Sequence, residues 1–352
     1  MIKDETQLYC ELPNKTKIPA LGFGTDYIPE GEDIIKSVMW ALEAGYRHID
    51  NADAYKNEEG VGIAIKKCIQ NGILTREELF VTNKVPDWKQ GYDSTIKCCL
   101  ASLKRSGLKY FDLYLVHSPA RLNENWRKDV LDTYRALETL YEQGFLKAIG
   151  VANFSVKHLE FIYNEAKIKP MLNQIELHPE HQQKEVVRWC KEHNIALAAW
   201  GSLNQGRIFK NKFYLDLAKQ YNLTPSQIAI KWGLEKGYIV LSASKSQKHI
   251  KENFQSLNLN LDKEAISILD KLDGGEFSNK QTDDIKPIRM IPENSKEFNP
   301  LTYQRFYKFF GLTVLKEEKW RWNKTKWYLF GFIPVVKIVK KEWDSENARI
   351  NK

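Results

Sequence analysis

Residues 111–117 read Phe-Asp-Leu-Tyr-Leu-Val-His, a short and nearly continuous apolar run that stops on a histidine. A strand of this kind has both faces covered, as in a parallel sheet flanked by helices. Seven further runs share the pattern: Ala20 to Thr25, Arg47 to Asp50, Leu79 to Lys84, Ala148 to Asn153, Met171 to Leu177, Ile195 to Gly201 and Tyr238 to Ser242. Apolar residues at helical spacing follow each run, as with Ile34, Ile35, Val38, Met39 and Leu42. Helix-start signals agree. Thr224-Pro225-Ser226-Gln227 supplies an N-cap, a proline at the first helical position and the glutamine of a capping box. Thr75 and Glu78 repeat the box before the third run, and Ser246 stands before the last long helix of the body. Eight strand–helix alternations predict an α/β fold, a (β/α)8 TIM barrel with a C-terminal extension. A doubly wound sheet is the second choice. However, Gly22-Phe23-Gly24 and Gly60-Val61-Gly62 both stop short of the G-x-G-x-x-G fingerprint such a sheet would carry.

In a barrel, chemistry sits at the carboxyl ends of the strands. Asp50, Lys84 and His117 end three successive runs, and Asn153, Gln174 and Trp200-Gly201 follow on the next three. Charged groups at strand ends are costly to bury unless paired or used. One alone reads as a structural ion pair; three in succession point to a site.

The chain has 352 residues, 43% hydrophobic and 28% charged, which excludes a collagen, a coiled-coil rod and a chain disordered throughout. The longest apolar run, Tyr328 to Val336, has nine residues, too few for a membrane-spanning helix. Met1 to Lys17 mixes charges and has no apolar signal-peptide core. Five cysteines, with Cys98 and Cys99 adjacent, form no C-x-x-C pair. A reducing, cytoplasmic location without structural zinc is expected. His178 and His181 have metal-like spacing, but no third ligand stands nearby, so no metal is expected. The net charge of +8 is uneven: residues 276–352 hold 16 Lys/Arg against 10 Asp/Glu, and the first 275 hold 37 against 35. A boundary is therefore placed at Gly274-Gly275, giving a body 1–275 and a basic extension 276–352. The balanced body shows no nucleic-acid footprint.

The body resembles the aldo-keto reductase family. The likeness rests on Gly22-Phe23-Gly24-Thr25, Arg47-His48-Ile49-Asp50-Asn51-Ala52-Asp53-Ala54-Tyr55-Lys56-Asn57-Glu58, Val81-Thr82-Asn83-Lys84 and Asp112-Leu113-Tyr114-Leu115-Val116-His117. Gly150-Val151-Ala152-Asn153-Phe154, Asn173-Gln174-Ile175-Glu176-Leu177-His178-Pro179 and Ile250-Lys251-Glu252-Asn253-Phe254 complete it, in family order over residues 8 to 272. The resemblance implies reduction of an aldehyde or ketone by NADPH or NADH. It places the catalytic residues at Asp50, Tyr55, Lys84 and His117. Tyr55 would donate the proton. A phenol has an ordinary pKa near 10, and lowering it by about 2–3 units needs roughly 3–4 kcal/mol. One ammonium about 4 Å away supplies about 4 kcal/mol at an effective dielectric near 20. Lys84 could thus tune Tyr55, Asp50 would hold Lys84, and His117 would orient the carbonyl.

The same resemblance implies cofactor contacts at Gly24, Thr25, Asp50, Ala152, Asn153, Gln174, Trp200, Gly201, Ser202, Leu203, Ser244, Lys245, Ser246, His249, Glu252 and Asn253. Asn153 and Gln174 would take the carboxamide, Trp200 would stack on the nicotinamide, and 201–203 would wrap the pyrophosphate. Ala152 replaces the usual serine. Where the family carries a Lys and an Arg on the 2′-phosphate, this chain has Ala243 and His249. Lys245 lies two residues along, so a weakened NADPH preference is expected, with NADH a contender. The substrate pocket is expected at Asp26, Tyr55, His117 and Ser118. Asp26 and Ser118 stand where family members with greasy pockets carry Trp, which favours a polar, sugar-like carbonyl; Asp26 reads equally as a helix N-cap. A second functional reading is a redox-sensing or scaffolding subunit that binds cofactor and docks a partner through its extension.

From Tyr303 to Phe332 there are 11 Phe, Tyr or Trp, interleaved with Lys and Arg. Segment 326–341 resembles a short stretch of bacterial surface-polysaccharide biosynthesis proteins. Three readings stand for 300–352: packing or strand pairing around Gly331 and Pro334, docking on a membrane surface at the inner face or on a protein partner, and single-stranded nucleic acid, which no motif supports.

Overall fold

The structure is a computed structural model and describes residues 1–3, 7–119 and 126–274, together with four strands between 302 and 339. The chain opens with strands β1 (Ile2–Lys3), β2 (Leu8–Glu11) and β3 (Lys17–Pro19), paired antiparallel. Leu12, directly after β2, and Ile18, in β3, are buried in the main core. The eight runs become β4 (Leu21–Gly24), β5 (His48–Asp50), β6 (Phe80–Val85), β7 (Leu113–Val116), β8 (Ile149–Ala152), β9 (Leu172–Glu176), β10 (Ala196–Trp200) and β11 (Ile239–Ser242). They close into a barrel in the order β10-β11-β4-β5-β6-β7-β8-β9, all neighbours parallel. The doubly wound alternative is thereby excluded. Burial on both faces explains the unbroken apolar runs: every residue of β5, β6, β7, β8, β9 and β11 is buried.

The helices are α1 (Glu32–Ala44), α2 (Glu58–Gln70), α3 (Tyr92–Ser106), α4 (Trp126–Glu142), α5 (Val156–Glu165), α6 (Lys184–Glu192), α7 (Lys212–Tyr221), α8 (Pro225–Glu235), α9 (Gln247–Phe254) and α10 (Lys263–Asp270). At α8 the capping box forms both ways: Gln227 N–H donates to Thr224 Oγ1 at 3.2 Å and Thr224 N–H to Gln227 Oε1 at 2.9 Å. The Thr75–Glu78 pair makes one such bond, 2.7 Å, but closes a turn rather than a helix, because β6 begins two residues later. Ser246 caps α9. That helix is not the last of the body, since Asp262 starts α10 by accepting from Ala265 N–H at 2.8 Å. Cys98 and Cys99 are buried in α3, and all five cysteines are free.

By its contacts the chain forms two compact units, Met1–Ile285 and Lys286–Lys352. The second holds β12 (Thr302–Phe309), β13 (Leu312–Trp320), β14 (Lys324–Leu329) and β15 (Ile333–Val339) in one antiparallel sheet of that order. The nine-residue apolar run is split between β14 and β15, which pair with each other, Trp327 opposite Val336 and Leu329 opposite Ile333. Pairing on either side of Gly331 is therefore made within this chain. Side chains of this unit lie outside the described residues, and so does the docking expected of 300–352. Among the described residues, no helix is long and apolar enough to cross a membrane.

Candidate active site

The barrel brings the expected residues to one mouth. Asp50 is the last residue of β5, Lys84 the penultimate residue of β6, and His117 directly follows β7. Tyr55 sits on a 3-10 turn, Asp53–Tyr55, just beyond β5. The Lys84 ammonium has three donors and uses all of them: Asp50 Oδ2 at 2.6 Å, the Asn51 carbonyl at 3.0 Å and the Tyr55 hydroxyl oxygen at 3.1 Å. Its side chain has no exposed surface. Burial pushes the ammonium below the ordinary lysine range, and the Asp50 carboxylate works against that shift. Asp50 is committed on its other oxygen as well, accepting from Gln174 Nε2 at 2.8 Å across the mouth. The His117 ring stands edge-on to Tyr55, with centroids 5.7 Å apart and planes at 81°.

A second group of charges, which the sequence reading did not single out, surrounds the Tyr55 turn. Asp53 accepts from Lys56 Nζ at 3.0 Å, Lys89 Nζ at 2.9 Å and Arg105 Nη2 at 2.5 Å. Burial alone would push the Asp53 carboxyl up, but the Lys56 and Lys89 ammoniums hold it below the usual carboxylate range. Lys56 adopts left-handed backbone, φ 58°, and its ammonium bond to Asp53 fastens that turn. Buried Asn57 donates to the carbonyls of Thr25 and Ile28, both at 2.8 Å, and so pins the loop after β4 against this turn. That loop carries Asp26. The helix cap is Gly31, not Asp26, which instead accepts from Tyr27 N–H at 3.0 Å. The Asp26 charge also acts on Lys84. The Ser118 carbonyl accepts from Gln90 Nε2 at 2.7 Å.

The residues expected to hold a cofactor lie at or near the ends of β4, β5, β8, β9, β10 and β11 and on α9. Thr25 Oγ1 reaches the Asp50 carbonyl at 2.9 Å and Asn51 Oδ1 at 3.0 Å. Next to it, a Cβ added at Gly24 would find nothing nearer than 3.8 Å. Asn153, following Ala152 of β8, has left-handed backbone at φ 62°. Its Nδ2 donates to the His117 carbonyl at 2.9 Å, and its Oδ1 accepts from Trp200 Nε1 at 2.8 Å. One amide N–H and one lone pair of Asn153 remain for a carboxamide. Gly201, at φ 67°, turns the chain off β10, and Ser202 Oγ fixes the loop to the Leu241 carbonyl at 2.8 Å. Past Leu203, Asn204 and Asn211 both donate to the Glu180 carboxylate. At the N-terminus of α9, Ser246 N–H donates to Ser244 Oγ at 3.1 Å, and His249 N–H donates to Ser246 Oγ at 3.4 Å. Ala243, Lys245 and His249 are exposed. Glu252 pairs with Lys248 at 3.7 Å. Asn253 is 3% exposed, and its Oδ1 has no hydrogen-bond partner. A buried amide oxygen left open in this way fits an adenine amino group. The residues present therefore fit a nicotinamide cofactor. His178 Nε2 lies 3.2 Å from Glu176 Oε1 beneath the loop, and no metal-holding group of three occurs among the described residues.

Residues 20–274 match the model of the aldo/keto reductase family. The chain is 39% identical over 284 residues to a glyoxal reductase of Bacillus subtilis (strain 168), covering 81% of this chain and 98% of that one. It is 38% identical over 268 residues to the methylglyoxal reductase DkgA of Escherichia coli (strain K12), covering 76% and 94%. A 9,11-endoperoxide prostaglandin H2 reductase of Trypanosoma cruzi (strain CL Brener) is 40% identical over 264 residues, covering 74% and 90%. Among solved structures, an aldo-keto reductase from a deep-sea metagenome library superposes with TM-score 0.72 at 37% identity, covering 79% of this chain and 99% of that one. An aldo-keto reductase of Bombyx mori in complex with NADP gives TM-score 0.72 at 29% identity, covering 80% and 97%. The chain belongs to the aldo/keto reductase family and is an NAD(P)-dependent oxidoreductase that reduces carbonyl compounds.

Proposed function

We propose that Tyr55 is the proton donor of this reduction and that Lys84, Asp50 and His117 set its acidity and aim. The observation that carries the proposal is the Lys84 ammonium, fully buried, 3.1 Å from the Tyr55 oxygen and 2.6 Å from Asp50. A cation that donates to a phenol oxygen favours the phenolate and so lowers the cost of giving up the proton. Asp50 keeps that cation charged where burial would neutralise it. His117, edge-on to Tyr55, polarises a carbonyl oxygen held between the two rings. Asn153 and Gln174 hold the carboxamide, Trp200 packs on the nicotinamide, 201–203 cover the pyrophosphate, and Asn253 takes the adenine. A nicotinamide bound there supplies the hydride. The experiment is burst formation of NAD(P)+ on mixing with a carbonyl panel; the reading requires that Tyr55→Phe abolish it. Family membership favours this over a cofactor-binding scaffold.

The substrate is a small, polar carbonyl compound. Asp26 and Ser118 at the mouth support this, and the relatives named for glyoxal and methylglyoxal are in keeping with it. Far better turnover of benzaldehyde-type compounds than of methylglyoxal or glyceraldehyde would refute it. NADH competes with NADPH as reductant, because an exposed Ala243 offers no cation and His249 no guanidinium fork for the 2′-phosphate. Lys245 and the α9 N-terminus retain some phosphate affinity. A hundredfold preference for NADPH in turnover would overturn this.

A further inference from the structure

Behind the Tyr55 turn lies an ion cluster, buried carboxylates bridged by an arginine that is 40% exposed, which the reaction as described does not use. The Asp53 and Glu58 carboxylates are 1% and 2% exposed. Arg105, in the last turn of α3, bridges them: Nη2 donates to Asp53 Oδ1 at 2.5 Å and Nε to Glu58 Oε2 at 2.6 Å. Asp53 opens the turn that ends at Tyr55. Glu58 opens α2, and its other oxygen accepts from Asn83 Nδ2 at 2.8 Å. Asn83 Oδ1 in turn accepts from the backbone N–H of Lys84 at 2.7 Å. A continuous hydrogen-bonded path thus runs from the turn that carries Tyr55, through one guanidinium, to the strand that carries Lys84.

Packing supports the same bridge independently. A Cβ added at Gly62 of α2 would lie 2.0 Å from the backbone oxygen of Ser106, the residue after Arg105. Only glycine allows α2 and the end of α3 to come this close, and this approach brings Arg105 within reach of both carboxylates. A guanidinium can fork to two carboxylates at once, where an ammonium is a single point charge. The pull of Lys84 on the Tyr55 oxygen depends on their separation, and a misplacement of about 1 Å can cost about a hundredfold in rate.

We propose that Arg105 is a positioning residue: by bridging Asp53 and Glu58 it fixes the distance between Tyr55 and Lys84. The proposal rests on Tyr55 being the proton donor. Its test compares wild type, Arg105→Gln, Arg105→Lys and Tyr55→Phe with methylglyoxal at saturating cofactor. In Arg105→Gln, kcat falls about 10- to 100-fold, while the cofactor Kd from fluorescence titration stays within about twofold of wild type. The alkaline limb of its kcat–pH profile moves up by about 0.5–1 pH unit, because a phenol farther from its cation holds its proton longer. Arg105→Lys gives intermediate values of both, and carries the test alone if Arg105→Gln does not fold. The proposal is overturned by a wild-type kcat in Arg105→Gln, or by any loss of kcat that leaves the pH profile in place. Activity retained in Tyr55→Phe sinks instead the proton-donor reading on which the proposal rests.

Discussion

The barrel mouth around Lys84 and the start of α9 differ in how their charges are held. At the mouth, Lys84 is buried and every one of its N–H groups has an acceptor, while both oxygens of Asp50 are occupied. At the α9 end, Lys245 and His249 stand exposed, and Ala243, also exposed, carries no charge. A charge fixed by three short bonds in a dry site acts at full strength and tolerates no replacement. An exposed cation acts weakly through solvent and can be exchanged at little cost to the fold. All four residues expected to be catalytic are present and joined, whereas the two cations expected on a 2′-phosphate are not.

The contrast can be tested from its largest consequence downward. Tyr55→Phe should lower kcat by about a thousandfold or more, roughly 4 kcal/mol, with cofactor affinity unchanged; single-turnover kinetics and fluorescence titration separate the two. Next comes the floor beneath the reacting end. His48, on the same strand as Asp50, is buried with Nε2 3.0 Å from Thr82 Oγ1, and burial pushes its pKa down to about 4 from 6.5. The unfolded chain therefore binds a proton that the folded one refuses between those values. Stability conferred above pH 6.5 should drain away as pH falls toward 4, by about 3 kcal/mol. Urea titrations at stepped pH should show that dependence flattened in His48→Gln. If it persists, other groups carry the acid limb.

At the other end, Ala243→Lys with His249→Arg should raise the NADPH-to-NADH ratio of kcat/KM by about 10- to 100-fold, or roughly 1.4–2.8 kcal/mol, with kcat nearly constant. A comparable change in kcat would show that the two ends are coupled. Asn253→Ala should have the smallest effect, raising the KM for either cofactor about three- to tenfold, near 1 kcal/mol for one hydrogen bond. Initial-rate kinetics with both cofactors would detect it.

The barrel was legible because parallel strands covered on both faces must be apolar throughout, and the polar residues that interrupt the pattern fall where strands end. In the candidate site, Asp50, Lys84 and His117 were legible for the same reason, because they break apolar runs, whereas Tyr55 stood out only through the family resemblance. Other features left no such mark. The β2–β3 hairpin ahead of the barrel has only four and three residues in its strands, too few for alternation to register. Arg105 lies on α3 among other charged residues and reads as solvent-facing. Asp53 and Glu58 lie within the stretch 47–58 with nothing in its pattern to set them apart. The Thr75–Glu78 pair has a helix-start pattern that the chain uses to close a turn. The bracket around Asn153, from the His117 carbonyl and the Trp200 indole, joins residues 36 and 47 positions away.

By itself, the sequence determined which residues are apolar, at what period, and which polar groups stand at the ends of the runs. Solvent exclusion turns that pattern into covered parallel strands and helices, and the pairing of β10 with β11 and of β11 with β4 closes the ring that rules out a doubly wound sheet. Only the tertiary structure decided which charges meet. Whether Arg105 reaches two carboxylates, and whether the ammonium of Lys84 has one acceptor or three, depends on ångström-scale approaches such as that of Gly62 to Ser106. Electrostatic and hydrogen-bond energies change steeply over such distances, whereas hydrophobic burial depends only on area.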